Sequence, residues 1–124
     1  MKYALLIYAT PGAAGTAEPQ QGDGVIGSWL DYTRAIRESG ALIAAEQLDQ
    51  TDTATSVRLG GGERLLTDGP FMETKEHLLG FFLIDVPDLD AALDWAARMP
   101  NTAHGTTEVR AAVSGRPWQA LLDS

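Results

Sequence analysis

Residues 78–86 read LLGFFLIDV, and this stretch decides the fold because apolar side chains occupy its odd and its even positions. Successive side chains of a β-strand point to opposite faces of the sheet. One face of the predicted strand Leu78 to Val86 therefore carries Leu79, Phe81 and Leu83, and the other carries Leu78, Phe82, Ile84 and Val86. A strand that is apolar on both faces is typical of the centre of a sheet covered on both sides.

The stretch at residues 2–9, KYALLIYA, shows the same pattern. It predicts a second strand with Tyr3, Leu5 and Ile7 on one face and with Ala4, Leu6 and Tyr8 on the other. We expect these two strands to be neighbours at the centre of one sheet.

The remaining sequence predicts two helices and four further strands. The first helix runs from Gly24 to about Ser39 with an apolar stripe of Val25, Trp29, Tyr32 and Ile36, and the second runs from its cap Asp88 through Met99. The strands are predicted at 41–48, 54–59, 63–67 and 106–113, the middle two joined as a hairpin through Gly60-Gly61-Gly62. Residues 10–22 are predicted to be a loop.

This order of elements predicts one α+β domain over residues 1–113, ferredoxin-like with an inserted β-hairpin, followed by a tail or dimer arm at 114–124. Right-handed crossovers place both helices on one side of the sheet, so its other apolar face needs a separate cover. A second copy related by a two-fold axis would supply that cover. The pattern therefore predicts a homodimer with a cleft between the two sheets that suits a small-molecule ligand.

Composition excludes several classes of partner. With 17 acidic against 9 basic residues, the chain of 124 residues has a formal charge of −8, which repels nucleic acids and anionic membranes. It has no cysteine, as suits a reducing cytoplasm, and no apolar run near the roughly 20 residues that cross a bilayer. The apolar run from Tyr3 to Ala9 is at the short limit for a secretion signal and suits a strand better. We expect a cytoplasmic protein without nucleic-acid or membrane partners.

The densest group of ionisable residues lies at 67–77, between two predicted strands. Asp68-Gly69-Pro70 predicts a tight turn in which Gly69 tolerates a positive φ. An extended backbone after this turn would point Glu73, Lys75 and His77 to one side. Asp68, Glu73 and His77 are the candidate catalytic residues, with Glu73 placed to orient the His77 imidazole for proton transfer. The alternatives are a solvated connector and a structural or exposed histidine.

Candidate substrate-binding residues lie on the strands and beside the turn: Tyr8, Arg58, Lys75, Glu108 and Arg110. Glu108 and Arg110 are two residues apart on one face, so they are able to pair with each other. A structural ion-pair network and a polar pocket for an anion or an acid–base pair are both compatible with this pattern. Tyr8 and Glu46 lie near strand ends, where each is either a pocket wall or an ordinary edge residue.

Several chemistries have no support in the sequence. His77 and His104 are the only histidines of the sequence, and their spacing does not match that of zinc ligands. The sequence also lacks the Gly-x-Ser-x-Gly motif that carries the nucleophile of a Ser-His-Asp hydrolase. The cluster Gly60-Gly61-Gly62 lacks the Lys and Ser/Thr of a phosphate-binding loop. We expect no metal and no cofactor.

The motif Asp68-Gly69-Pro70-Phe71 followed by Glu73-Thr74-Lys75-Glu76 resembles the DGPF branch of the YCII-related family. Further similarity covers residues 1–8, 55–58, 88–96 and 108–110, with departures at Met72 and Ala111. The resemblance implies a dimeric ferredoxin-like α+β barrel and a family whose biochemical role is largely unassigned. Genes of DGPF proteins often neighbour those of extracytoplasmic-function sigma factors, which implies a regulatory protein as an alternative partner.

Two functions remain open. In the first, the cleft binds a small polar metabolite. Glu73 or His77 transfers a proton. Arg58, Arg110 or Lys75 stabilises the negative charge that develops on the metabolite. In the second, the chain is a non-enzymatic regulatory or protein-interaction module linked to sigma-factor-dependent transcription. The sequence does not decide whether the protein is an enzyme.

Overall fold

A computed structural model describes residues 1–10, 23–114 and 118–122, apart from the side chains of residues 23–26, 119 and 120. The predicted loop at 10–22 lies almost wholly outside the described residues, as does the side chain of Val25. The strands are β1 (Lys2–Ala9), β2 (Leu42–Gln47), β3 (Thr55–Gly60), β4 (Glu63–Asp68), β5 (His77–Asp85) and β6 (Thr106–Ala111). The helices are α1 (Asp23–Glu38), α2 (Leu89–Arg98) and the short α3 (Trp118–Leu122). Two 3₁₀ turns lie at Thr51–Thr53 and Pro100–Ala103.

The main sheet has four strands in the order β2-β5-β1-β6, and each neighbouring pair is antiparallel. This arrangement of two helices and an antiparallel sheet confirms the predicted α+β class and is consistent with a ferredoxin-like fold. The two doubly apolar strands β1 and β5 are neighbours at its centre, as the sequence predicted. Strands β3 and β4 form a separate two-stranded sheet. None of the helices in the described ranges has the length and apolar character needed to cross a membrane.

The last strand ends earlier than the sequence predicted, at Ala111 instead of Val113. Its neighbour β1 begins at Lys2, whose carbonyl accepts a hydrogen bond from the Ala112 amide at 2.9 Å. The last pair of residues in the ladder between the two strands is Tyr3 and Ala111. The apolar pattern, which continues to Val113, therefore overestimates the length of this strand.

One face of the main sheet, which we call the core face, packs against both helices. Tyr32 and Ile36 of α1 and Ala92 and Ala96 of α2 join the buried sheet residues Tyr3, Leu5, Ile7, Phe82, Ile84 and Val86 in one cluster. The Tyr32 hydroxyl donates to the Trp95 carbonyl at 2.8 Å. Burial raises the pKa of Tyr32, opposed by the charge of Arg98, so the hydroxyl stays protonated as a donor. Both helices lie on one side, as right-handed crossovers require.

The opposite face of the main sheet, which we call the outer face, lies away from these two helices. The register places Leu6 between Phe81 and Glu108, and Ala4 between Leu83 and Arg110. Leu6, Phe81 and Leu83 are only partly buried within the single chain. The outer face thus has an apolar centre that retains contact with water.

A β-bulge corrects the predicted faces of β5. The register shifts between Ile7 and Tyr8, so Ile7 opposes Gly80 and Tyr8 opposes Leu78. One extra residue reverses the alternation of side chains along the strand. Leu79 consequently packs against the core cluster beside Phe82, and not on the outer face with Phe81. The prediction was wrong for Leu79 and, by the same shift, for Leu78, because a bulge leaves no trace in a period-two pattern.

Candidate functional site

The segment 69–76 between β4 and β5 begins with the turn that the sequence predicted. Gly69 has a φ of +102°, which confirms the positive φ expected there. Its amide donates to the Ala54 carbonyl at 2.7 Å, and its own carbonyl accepts a hydrogen bond from the Ser56 hydroxyl at 2.9 Å. These two bonds fix the turn to the start of β3, so the segment that follows has a defined position.

A concave site of about 510 Å³, which we call the acidic hollow, lies under this turn. All three candidate catalytic residues border it, since Asp68, Glu73 and His77 line its wall. Its other lining residues are Thr51, Asp52, Gly69, Pro70 and Thr74. Asp52 adds a carboxylate that the sequence did not indicate. Three acidic residues, all exposed to water, and one histidine therefore line a common space.

The His77 imidazole is held by a residue from another part of the chain. Its Nδ1 lies 3.2 Å from the Thr51 hydroxyl, and the ring is half-buried. The predicted partner Glu73 borders the same hollow, yet no hydrogen bond joins it to His77 within the described part of the chain. Thr51 belongs to the 3₁₀ turn Thr51–Thr53, so this turn orients the imidazole and leaves Glu73 as a neighbouring acceptor.

A second concave site of about 480 Å³, which we call the apolar hollow, adjoins the first. The two share Thr51, Pro70, Thr74 and His77 as lining residues. The apolar hollow adds Tyr8, Leu48, Asp49, Gln50, Thr53, Ala54, Phe71, Met72 and Leu78. Tyr8 thus borders this site from β1, directly beside the outer face of the main sheet.

Lys75 lines neither hollow. The chain bends at residues 75–76, so the extended backbone that would have aligned Lys75 with Glu73 and His77 is absent over these residues. The Thr74 hydroxyl donates to the Glu76 carbonyl within this bend. The Glu76 carboxylate in turn accepts from the Thr106 hydroxyl at 3.5 Å, the outer limit for a hydrogen bond. The bend therefore separates Lys75 from the group that the sequence placed it in.

The remaining binding candidates do not line either hollow. Glu108 and Arg110 pair with each other on β6, with the Arg110 Nε 3.3 Å from the Glu108 Oε2, which confirms that they are able to pair. Their side chains are 41% and 74% exposed, and ion pairs in water of this kind contribute about 0–1 kcal/mol. Arg58 lies on β3 with its Cζ 4.8 Å from the centroid of the Phe71 ring.

The lining of the acidic hollow decides which chemistry it favours. Its charged groups are the carboxylates of Asp52, Asp68 and Glu73, and neither Lys nor Arg is among its lining residues. Carboxylates accept hydrogen bonds, and they attract cations. The site thus favours ammonium or hydroxyl groups over anions. No set of three or more His, Asp or Glu side chains is placed to hold a metal ion in the ranges that the structure describes.

Four lining residues were not predicted from the sequence. Thr51 and Asp52 line the acidic hollow, and Phe71 and Met72 line the apolar hollow. The first pair belongs to the run Asp49-Gln50-Thr51-Asp52-Thr53, whose concentration of turn-forming polar residues between two strands indicates an ordered turn. Phe71 and Met72 lie within the motif itself, but their side chains carry no ionisable group that would indicate a site. Nothing in the sequence indicates that His77 contacts a residue 26 positions earlier.

Comparison with known proteins identifies a matching family and a relative. The model of the YCII-related domain matches residues 1–116. An uncharacterized protein of Rhizobium meliloti (strain 1021), R00369, is 38% identical over 112 residues, which cover 89% of this chain and 90% of that protein. The match to the relative is therefore a match over nearly the whole length of both chains.

Proposed function

The chain belongs to the YCII-related family, and from this premise we propose that it forms a homodimer that binds a small polar metabolite beside the dimer interface. The acidic hollow is the proposed binding site. The observation that carries the proposal is the meeting of Asp52, Asp68, Glu73 and His77 around one space of about 510 Å³. A volume of this size lies within the range of sites for small molecules.

The charge of the hollow supports a ligand with amine or hydroxyl groups. Three carboxylates stabilise a cation or a set of hydrogen-bond donors, whereas they repel a carboxylate or phosphate. The apolar hollow next to it would receive a hydrocarbon portion of the same ligand against Tyr8, Phe71 and Leu78. The proposed ligand is therefore amphipathic, with a polar end under the turn.

The outer face of the main sheet supports the proposed dimer. Its apolar centre at Leu6, Phe81 and Leu83 is only partly buried in the single chain, and covering it with a second copy would remove the remaining surface from water. Tyr8 and Leu78 oppose each other at the end of this sheet and also border the apolar hollow. A second copy on the outer face would consequently approach the mouth of the ligand site.

The proposal extends from ligand binding to acid–base catalysis by His77 and Glu73. With Nδ1 held by Thr51, the His77 ring keeps one orientation, and its other nitrogen remains to exchange a proton. Glu73 is the second group able to accept a proton from a ligand in the same hollow. Both groups would act on a ligand already held by Asp52 and Asp68.

One observation favours the non-enzymatic alternative, a regulatory module linked to sigma-factor-dependent transcription. Phe71 and Met72 are 66% and 64% exposed beside the hollow, and exposed apolar side chains of this size suit a protein partner. A cytoplasmic location is part of both proposals, supported by a sequence without cysteine.

We expect an amine- or hydroxyl-bearing metabolite to raise the melting temperature of the wild type by several degrees, and Glu73→Gln to abolish this response. A ligand at 100 times its Kd stabilises a protein by about 2.7 kcal/mol. The measurement is a thermal-shift screen of cationic, neutral and anionic metabolites. Glu63→Gln is the matched control, since it removes the same charge from an exposed position outside both hollows.

The screen also distinguishes the two functions. If a metabolite raises the melting temperature of Glu73→Gln as much as that of the wild type, the acidic hollow is not the binding site. If no metabolite shifts either protein, the regulatory module gains support.

A further inference from the structure

A further cavity, of about 220 Å³, lies on the core face between α1 and the main sheet, and we call it the helix cavity. Trp29 and Thr33 of α1 form one wall, since residues four apart lie on the same face of a helix. The core face of the sheet forms the other wall, where Ile7, Leu79 and Phe82 line the cavity. The cavity thus lies at the contact between helix and sheet.

The helix cavity and the apolar hollow lie on opposite sides of the same strands. Ile7 lines the cavity whereas its neighbour Tyr8 lines the apolar hollow, and Leu79 and Leu78 divide between them in the same way. Consecutive side chains of a strand point to opposite faces of the sheet. The helix cavity is therefore a separate site, and it shares no described lining residue with either hollow.

Small residues on two neighbouring strands leave this space unfilled. Ala45 on β2 and Gly80 on β5 both line the cavity. Protein interiors are otherwise packed with few voids larger than a water molecule. Trp29, Ala45 and Leu79 pack against the core cluster but are only partly buried. The core therefore has room for a small ligand at this point.

The walls of the helix cavity favour an aromatic ring. The rings of Trp29 and Phe82 are stacked, with 6.2 Å between their centroids and an angle of 30° between their planes. Aromatic rings attract one another at separations of about 4.5–7 Å. An engineered apolar cavity of about 150 Å³ binds benzene. The helix cavity, at about 220 Å³, therefore accommodates one ring with a small substituent.

Two features define that substituent. Thr33 is half-buried, and no hydrogen bond joins its hydroxyl to another residue in the ranges that the structure describes. A hydroxyl both donates and accepts, so it is able to bind a hydroxyl group of a ligand. None of the described lining residues is basic, so an anionic substituent would lose hydration without gaining a partner. The cavity thus favours a neutral hydroxyl group.

We propose that the helix cavity binds a neutral molecule with one aromatic ring and a hydroxyl group. The ring would lie against Trp29 and Phe82, and the hydroxyl would bind that of Thr33. Binding would also remove the exposed surface of Ala45 from water. This inference goes beyond the proposed function and does not depend on it, because the two sites lie on different sides of the sheet.

Phenol is the test ligand, with benzoate and cyclohexanol as matched comparisons. We expect phenol to shift the NMR resonance of the Trp29 indole N–H and to leave that of Trp118, which is 86% exposed on α3, unchanged. Benzoate carries the same ring with a negative charge, so it should bind at least about tenfold more weakly. Cyclohexanol carries the hydroxyl without an aromatic ring, so it should bind about fivefold more weakly.

Two substitutions test the site itself, with circular dichroism to verify folding. Ala45→Leu fills the cavity, so we expect the unliganded variant to melt at a higher temperature and phenol to bind at least about tenfold more weakly. Thr33→Val removes the hydroxyl and keeps the β-branched shape, so phenol should bind about fivefold more weakly. Ala97→Leu is the matched control at an exposed position of α2 outside the cavity, and it should bind phenol as the wild type does.

Several results would overturn the proposal. One is a Trp29 resonance that does not respond to millimolar phenol. Another is phenol binding that neither Ala45→Leu nor Thr33→Val weakens, and a third is benzoate that binds as tightly as phenol. Phenol-induced shifts confined to Tyr8 and Leu78 would assign phenol to the apolar hollow and would also contradict the helix cavity as its site.

Discussion

Phe81→Lys is expected to convert the protein from a dimer into a folded monomer, with a dissociation constant more than 100 times that of the wild type. Phe81 lies at the centre of the outer face, opposite Leu6 on one side and Glu46 on the other. In the single chain an introduced ammonium would reach water and pair with the Glu46 carboxylate across the strands. In the dimer the ammonium and the Glu46 carboxylate would both be removed from water, and the loss of hydration of two charges costs several kcal/mol.

Leu93→Lys is the control for this prediction. Leu93 is 45% exposed on α2, which packs on the core face, so the same charge is introduced far from the proposed interface. We expect this variant to sediment with the wild type. If Phe81→Lys remained dimeric and folded, the outer face would not be the interface.

Gly80→Ala is expected to lower the free energy of unfolding by about 3 kcal/mol, at the upper end of the usual cost of overpacking. A Cβ at this position would lie 2.5 Å from the Glu46 carbonyl oxygen and 3.2 Å from the Gln47 Cα. Both are backbone atoms of β2, so the clash is relieved only if strand β2 moves away from β5. Gly80 is therefore required by the close approach of two strands at the bulge.

Gly27→Ala is the matched control, because the same methyl group meets no atom within 4 Å on α1. Replacing glycine by alanine inside a helix stabilises it by about 0.5–1 kcal/mol. Urea denaturation of the two variants should therefore give shifts of opposite sign. Equal shifts would show that the strands do not approach as closely as described.

Much of the fold was predictable because its elements follow from local patterns. The doubly apolar stretches at 2–9 and 78–86 identify the two central strands, and Asp88, which accepts a hydrogen bond from the Ala91 amide, marks the start of α2. Features that depend on distant partners were not predictable. The end of β6 at Ala111 and the bulge at Leu79 both depend on how β1 pairs with its two neighbours.

The candidate site also combines residues that were predictable from the sequence with residues that were not. Asp68, Glu73 and His77 lie within ten residues of one another, so a single anchored turn brings them to one hollow. Thr51 and Asp52 come from a 3₁₀ turn before the hairpin. Whether they reach the acidic hollow depends on how β3 and β5 are placed. Lys75 was misplaced because the sequence predicted an extended segment where the chain bends. Arg58 lies on the predicted hairpin, but no local pattern indicates its contact with the Phe71 ring.

The proposed dimer and ligand site both require that two chains close over the outer face and the adjoining hollow. Sedimentation equilibrium of the unaltered chain at micromolar concentration tests it most directly. We expect a particle of twice 13.2 kDa. A well-folded particle of 13.2 kDa across this range would contradict it.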